Sequence, residues 1–291
     1  MTARRRHLVA LLLVLAASAA YVGARLDRGW VPHDEGMIGL NAERLLRGEL
    51  PHRDFDESYT GGLTVLHAAA FRLLGERLMS PRLVLFAVFL AFAAAAYAIA
   101  ARTLAPAGSA LATLVAVAWS FPNYLASMPS WYVLAFATLC VLALLRERDT
   151  GRRAWLLLAG LCAGASLLLL VVGLYVVAAA LLYLAFAECG SAARRPRGPG
   201  RFGFLLFQAA AVAGFLGVLL AVARRSLTPM GLVQLVVPSA AAAAALLVRA
   251  WRVRGHASFA ERSLALARLA GPFLAGAAVP VAALAAVCAS R

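Results

Sequence analysis

Nine of the thirteen acidic residues of this 291-residue chain fall between Asp27 and Glu76, and most of the remaining sequence is apolar. Within that segment the side chains with chemical reach lie close together: His33-Asp34-Glu35-Gly36, then Glu43 and Glu49, then Arg53-Asp54-Phe55-Asp56-Glu57-Ser58-Tyr59. A carboxylate that is ionised, partly shielded from water and within about 3 Å of a hydroxyl can take its proton. Arg53, Asp54, Asp56, Glu57 and Tyr59 are candidates to hold a sugar, a phosphate or a divalent cation, because arginine pairs well with phosphate oxygens and clustered carboxylates suit hard cations. Each feature also has a plain structural reading. Asp34 stands where an N-cap would start a helix, and the 53–59 group would equally close a solvated loop through salt bridges. His33, His52 and His67 lie near these acids, but none has metal-motif spacing, and His67 falls on the apolar face of its helix, where packing is expected.

The elements that must position this segment are membrane spans. Apolar residues make up 63% of the chain and its mean hydropathy is +0.83, with long runs free of charge, which excludes a soluble globular protein. The net charge of +15 comes from 28 basic residues, all arginine, a composition expected of a GC-rich bacterial genome. The arginines cluster at 4–6, 146–153, 194–201 and 249–254, each beside an apolar run. That is the positive-inside pattern and not a nucleic-acid footprint. Cys140, Cys162, Cys189 and Cys288 show no CxxC spacing, so disulfide and zinc readings are weak. The terminal Cys288-Ala-Ser-Arg291 has only the outline of a prenylation box.

The expected fold is all-α, a polytopic bundle of about nine spans. Residues 1–24 form the first span, read as an uncleaved signal anchor although Ala17-Ser18-Ala19 resembles a cleavage site. Residues 25–81 form an outer acidic loop, and residues 82–291 carry spans at about 82–101, 108–124, 131–145, 154–170, 174–187, 204–222, 232–250 and 270–288. A single helix over 154–187 would run about 51 Å against a hydrocarbon core of about 30 Å. A hairpin turning near Gly173 avoids this and keeps the arginines at 146–153 and 194–201 on one side. Gly160 and Gly164, at GxxxG spacing, predict close helix packing. In the outer loop, Ile38, Ala42, Leu45 and Leu46 share one side of a helix over 35–47, with Gly48 as its stop. Leu66, Ala70, Phe71 and Leu74 predict a second amphipathic helix, from Leu63 to Gly75.

His33-Asp34-Glu35-Gly36, Gly48-Glu49-Leu50-Pro51, Arg53-Asp54-Phe55 and Leu73-Leu74-Gly75 together resemble the first outer loop of the membrane-embedded C-type glycosyltransferases, of the protein O-mannosyltransferase-like and lipid A aminoarabinose transferase-like kind. There an Asp-Glu pair after the first span is followed by a GxxPYxDF-like turn and a helix ending in an LFG-like tripeptide. The resemblance is specific to residues 30–82. It implies a bacterial inner-membrane transferase, N-terminus inside, that moves a sugar from a polyprenyl-phosphate donor to a glycan, lipid or protein acceptor. Asp34 would be the catalytic carboxylate with Glu35 beside it, and a Mg or Mn ion is a possible cofactor; membrane lipids are partners and nucleic acid is not.

The chain departs from that pattern in two places. Met128-Pro129-Ser130 stands where relatives carry an acidic RPD-like tripeptide, and Leu170-Val171-Val172-Gly173 lacks a basic residue usual in that turn. Arg224 and Arg225 are then expected to hold the donor phosphate, and the chain reads as a reduced or partial member. A non-catalytic relative is the first alternative. A transporter is the second, weakened by spans expected to contain essentially no ionisable residue, with Gln208 and Gln234 their strongest polar side chains.

Overall fold

The computed structural model describes residues 2–193, 202–223, 232–254 and 256–289. Among them are eleven α-helices and no strand, and an isolated bridge joins Pro51 to Phe55. The helices are α1 (Ala3–Gly23), α2 (Met37–Leu46), α3 (Gly62–Leu74), α4 (Met79–Ala100), α5 (Pro106–Ala118), α6 (Pro129–Thr150), α7 (Ala154–Leu169), α8 (Gly173–Ala192), α9 (Gly203–Ala223), α10 (Val237–Arg252) and α11 (Phe259–Ala289). All nine stretches expected as spans are therefore helical. Five of them, α1, α4, α6, α8 and α11, are long and apolar enough to cross a membrane by themselves.

The differences from expectation lie at helix ends. The 108–124 stretch is helical only to Ala118; a short 3-10 turn over Phe121–Asn123, built around Pro122, follows and turns the chain away. Proline supplies no N–H to continue an α-helix. Tyr124 thus belongs to a connection and not to a span. The break between α7 and α8 falls at residues 170–172, where the charge argument places it, and the Gly173 N–H bonds back to the Leu170 carbonyl at 2.8 Å.

The chain divides into two compact units, residues 1–177 with 273–291 and residues 178–272. The first is held by Val22, Leu26, Ile38, Leu63, Leu85, Phe89, Phe121, Tyr132 and Leu169, which draw α1 to α7 around one core. A smaller cluster of Ala42, Leu45, Leu50, Ala68 and Phe71 glues α2 to α3, so α2 buries the face its periodicity predicts; on α3 Ala70 and Phe71 are buried and Leu66 partly so, while Leu74, at the helix end, is exposed. Gly48 ends α2 as expected: its φ is +97°, its N–H reaches the Leu45 carbonyl at 3.1 Å and the Glu49 N–H reaches Arg44 at 3.0 Å. These are the two bonds of a Schellman cap, and they require the left-handed backbone that glycine adopts without strain.

In the second unit Cys189, Ala192, Val212, Ala243, Leu246 and Ala250 pack α8, α9 and α10 together. Here the expectation of spans without ionisable groups is corrected. α8 runs on to Ala192 and α11 begins at Phe259, so Glu188 and Arg262 both lie inside helices. They bury each other through Arg262 Nη2–Glu188 Oε2 at 2.7 Å and Nε–Oε1 at 3.1 Å, with the guanidinium 4.3 Å from the Phe204 ring centre. Two charges are tolerated there because each satisfies the other.

Gly160 and Gly164 do mediate a close helix approach, and their partner is α11: a Cβ at Gly160 would lie 1.9 Å from the Phe273 carbonyl oxygen, and one at Gly164 2.3 Å from that of Ala277. Backbone cannot yield as a flexible side chain can, so Gly160→Ala should lose roughly 1–3 kcal/mol. Gly214→Ala, with nothing within 4 Å of the added methyl, should be neutral or slightly stabilising. Thermal denaturation of both variants in detergent checks this, and equal midpoints would show that the α7–α11 contact is loose.

Candidate functional site

The site begins with one arginine. Arg82, in the first turn of α4, donates to Glu35 Oε1 through Nε (2.6 Å) and to Oε2 through Nη2 (2.7 Å). Its other donors reach backbone carbonyls: Nη1 those of Leu26 (2.8 Å) and Arg28 (3.1 Å), Nη2 that of Gly29 (2.7 Å). These five bonds use every N–H of the guanidinium. The two side chains are only 5% and 4% exposed. Glu35 Oε2 also accepts from the Val31 N–H at 3.0 Å, while the Glu35 N–H returns to the Val31 carbonyl at 2.9 Å. Residues 24–36 are thereby lashed to the start of α4.

This lashing shapes the backbone at Asp34. The expected helix start at Glu35 is replaced by a wide π-type turn over Pro32–Gly36 that runs directly into α2. Asp34 caps nothing, for neither the turn nor α2 has a side-chain cap. Its half-buried carboxylate instead accepts a short hydrogen bond from the Tyr124 hydroxyl. Tyr124 is held in turn by Trp131, whose indole N–H donates to its carbonyl at 2.9 Å. The bond to Asp34 is the main reason that the Tyr124 phenol is pushed up to about 12; burial and the charges of Asp34 and Glu35 add to it. Tyr124 therefore keeps its proton and stays a donor at neutral pH. Tyr59 stands near enough that, after burial, the charges of Asp34 and Glu57 raise its phenol too.

The other sequence candidates divide. Glu57 is committed to the loop: it accepts a short bond from the Thr64 hydroxyl, one from Asn41 Nδ2 at 3.4 Å and one from the Tyr59 N–H at 3.1 Å. Asp54 closes the Pro51–Phe55 turn by accepting the Leu50 N–H at 2.8 Å and pairs with Arg53 at 2.7 Å. The Arg53 bond, then the Leu50 N–H, holds its carboxyl below the usual range. Arg53 is itself exposed, and an exposed pair of this kind binds its partners only weakly. Asp56 is exposed, as are His33 and His52. His67 is buried as predicted, with Nε2 3.0 Å from Ser127 Oγ, and burial pushes it down to about 3, so it stays neutral. Arg224, Arg225 and the 194–201 cluster lie outside the described residues.

Sequence reasoning missed Arg82 and Tyr124. Arg82 was counted as the first residue of a span, yet a lone arginine at the head of an apolar helix is itself a signal that an acid must meet it. Tyr124 was hidden by the overlong span 108–124, and Pro122 was the available sign. Beside the loop, Gly62, Leu66, Phe136, Leu168, Ala283 and Leu284 help to line an apolar groove of about 260 Å³. Among the described residues no three of His, Cys, Asp and Glu gather as a metal-binding group. No family model, curated protein or solved structure matches the chain.

Because Arg82 is the one cation that pairs with Glu35 among the described residues, Arg82→Met should cost about 3–5 kcal/mol through an unpaired buried carboxylate, and Glu35→Gln added to it should recover part of the loss. Thermal denaturation of the two variants provides the check; a loss below about 1 kcal/mol in Arg82→Met would remove the pair from its role as anchor.

Proposed function

We propose that this chain is a membrane glycosyltransferase that moves a sugar from a polyprenyl-phosphate donor to an acceptor hydroxyl at the outer face of the bacterial inner membrane. The observation that carries this reading is the commitment of Asp34: among the described residues its carboxylate is claimed by no backbone N–H and no arginine, and its partner is a phenol at the site's edge. A carboxylate used structurally would resemble Glu35, Asp54 or Glu57, each tied to the protein by several bonds. Residues 30–82 also carry an Asp-Glu pair, Gly48-Glu49-Leu50-Pro51-His52-Arg53-Asp54-Phe55 and Leu73-Leu74-Gly75, which resemble the Asp-Glu, GxxPYxDF and LFG patterns of those glycosyltransferases.

In this mechanism Asp34 accepts the acceptor hydroxyl's proton as its oxygen forms a bond to the anomeric carbon. The bond from that carbon to the phosphate oxygen breaks, polyprenyl phosphate leaves with the electron pair, and the anomeric configuration inverts. Tyr124 orients the base by donating to Oδ2 as a neutral phenol, and Oδ1 is the oxygen left to take the proton. Glu35, proposed from the sequence beside Asp34, contributes by fixing the turn. Arg53 can exchange Asp54 for the donor phosphate at little cost, while Tyr59 lies close enough to Asp34 to stack on a sugar. A Mg or Mn ion would need only one or two carboxylates where phosphate oxygens complete its shell, and the exposed Asp56 would be available to it without drawing on the base. The apolar groove beside Gly62 suits the first isoprene units of the donor.

The nine-span topology with an inner N-terminus belongs to the same proposal, supported by Arg4, Arg5, Arg102 and Arg146 sharing one end of the first unit. One observation favours transport instead, the buried Glu188–Arg262 pair, but each charge is already neutralised by the other. A membrane-resident donor fits an acidic loop on the side where nucleotide sugars are scarce. Purified protein offered radiolabelled sugar on undecaprenyl phosphate, and separately as a nucleotide conjugate, should transfer from the lipid alone. Transfer from the nucleotide conjugate in lipid-free detergent would overturn the donor assignment, and inactivity with both would favour a non-catalytic relative.

A further inference from the structure

α4 spans 22 residues, so its two ends stand about 33 Å apart at 1.5 Å per residue. At the end away from Arg82, the start of α1, the close of α4 and the last turns of α6 enclose an open cavity of about 590 Å³. That volume lies within the usual range for small-ligand sites. The lining divides by chemistry: Arg4, Arg5 and Arg146 supply charge, and Leu8, Leu11 and Ala98 supply hydrocarbon. A fourth arginine, Arg102, is already paired with Asp149 through Nη2–Oδ1 at 2.8 Å, and His7 Nδ1 lies 3.2 Å from the Tyr97 hydroxyl. Arg4, Arg5 and Arg146 form no ion pair among the described residues.

Three guanidinium groups from two different helices converging on one hollow is more than the scattered arginine that marks an inner membrane face. The wall of the hollow is also mostly apolar, and a free phosphate ion would leave that surface wet. We infer that this cavity binds one anionic phospholipid, with the headgroup phosphate between Arg4, Arg5 and Arg146 and an acyl chain along Leu8 and Leu11. Basic pockets between membrane helices recognise phospholipid headgroups by this combination of charge and apolar wall. The site lies at the opposite end of the unit from Asp34 and does not depend on the proposed transfer reaction. Its consequence is structural: the lipid would bridge α1, through Arg4 and Arg5, to α6, through Arg146.

The test is native mass spectrometry of the purified full chain titrated with phosphatidylglycerol, with phosphatidylcholine as the zwitterionic control. One phosphatidylglycerol per chain should be retained in preference to phosphatidylcholine. Arg5→Gln with Arg146→Gln should weaken it by about thirtyfold, and Arg146→Gln alone by about fivefold, from the usual contribution of an arginine near a lipid phosphate. Arg6→Gln with Arg148→Gln removes the same charge from the same end of the unit but from residues outside the lining, and should change binding less than threefold. Equal losses in the two double variants would reduce the site to general surface charge and overturn the proposal. Equal retention of both lipids would do the same, as would binding of inorganic phosphate that depends on Arg5 and Arg146 while phosphatidylglycerol is not retained.

Discussion

Everything at the acidic end of this molecule depends on a buried ion pair. Glu35 and Arg82 are separated by 47 residues in sequence and are almost wholly removed from water, so neither can be left without the other. Satisfying Arg82 takes three backbone carbonyls as well as the carboxylate, and the segment from Leu26 to Glu35 must therefore wrap around the head of α4. The wide turn at Pro32–Gly36 accompanies that wrapping. A regular helix start would have offered Asp34 the free N–H groups of a first turn; the turn that forms leaves its carboxylate to Tyr124. A constraint on one acid thus decides the chemistry open to its neighbour.

This arrangement assigns different work to carboxylates that look alike in sequence. Glu35 fixes the turn, Asp54 closes the Pro51–Phe55 loop, and Glu57 holds that loop against α2 and α3 through Asn41 and Thr64. Their hydrogen-bond partners are all within the protein, so they stiffen the surroundings of Asp34. Among the described residues Asp34 has a single hydrogen-bond partner, a phenol that this bond above all keeps protonated. Preorganised support around one lightly committed group is what the proposed proton abstraction would require.

Much of the fold was legible in the sequence because helix periodicity and arginine clusters are strong signals in a membrane chain. The amphipathic faces at Ile38–Leu45 and Leu66–Phe71, the Gly48 stop, the break before Gly173 and the close approach at Gly160 and Gly164 all follow from local residue chemistry. What escaped was set by contacts distant in sequence. Asp34 looked like a cap because the residues around it favour a cap, and only Arg82 overrules them. Glu188 and Arg262 escaped for a related reason, since hydropathy trims helix ends at the first charge even when another helix supplies its partner. Tyr124 was absorbed into a span that Pro122 cuts short. The carboxylates that hold the loop and the one left open could not be told apart without the geometry.

The central claim is that Asp34 acts as a base and is not a structural support. Asp34→Asn keeps the shape of the side chain and can still accept the Tyr124 hydroxyl, but it cannot take a proton. Transfer from a polyprenyl-phosphate sugar, measured beside thermal stability for Asp34→Asn and Asp34→Ala, separates the two roles. The account expects Asp34→Asn to retain the wild-type melting midpoint while transfer falls by a factor on the order of 10² or more. Full transfer in Asp34→Asn, with loss confined to a destabilised Asp34→Ala, would contradict it.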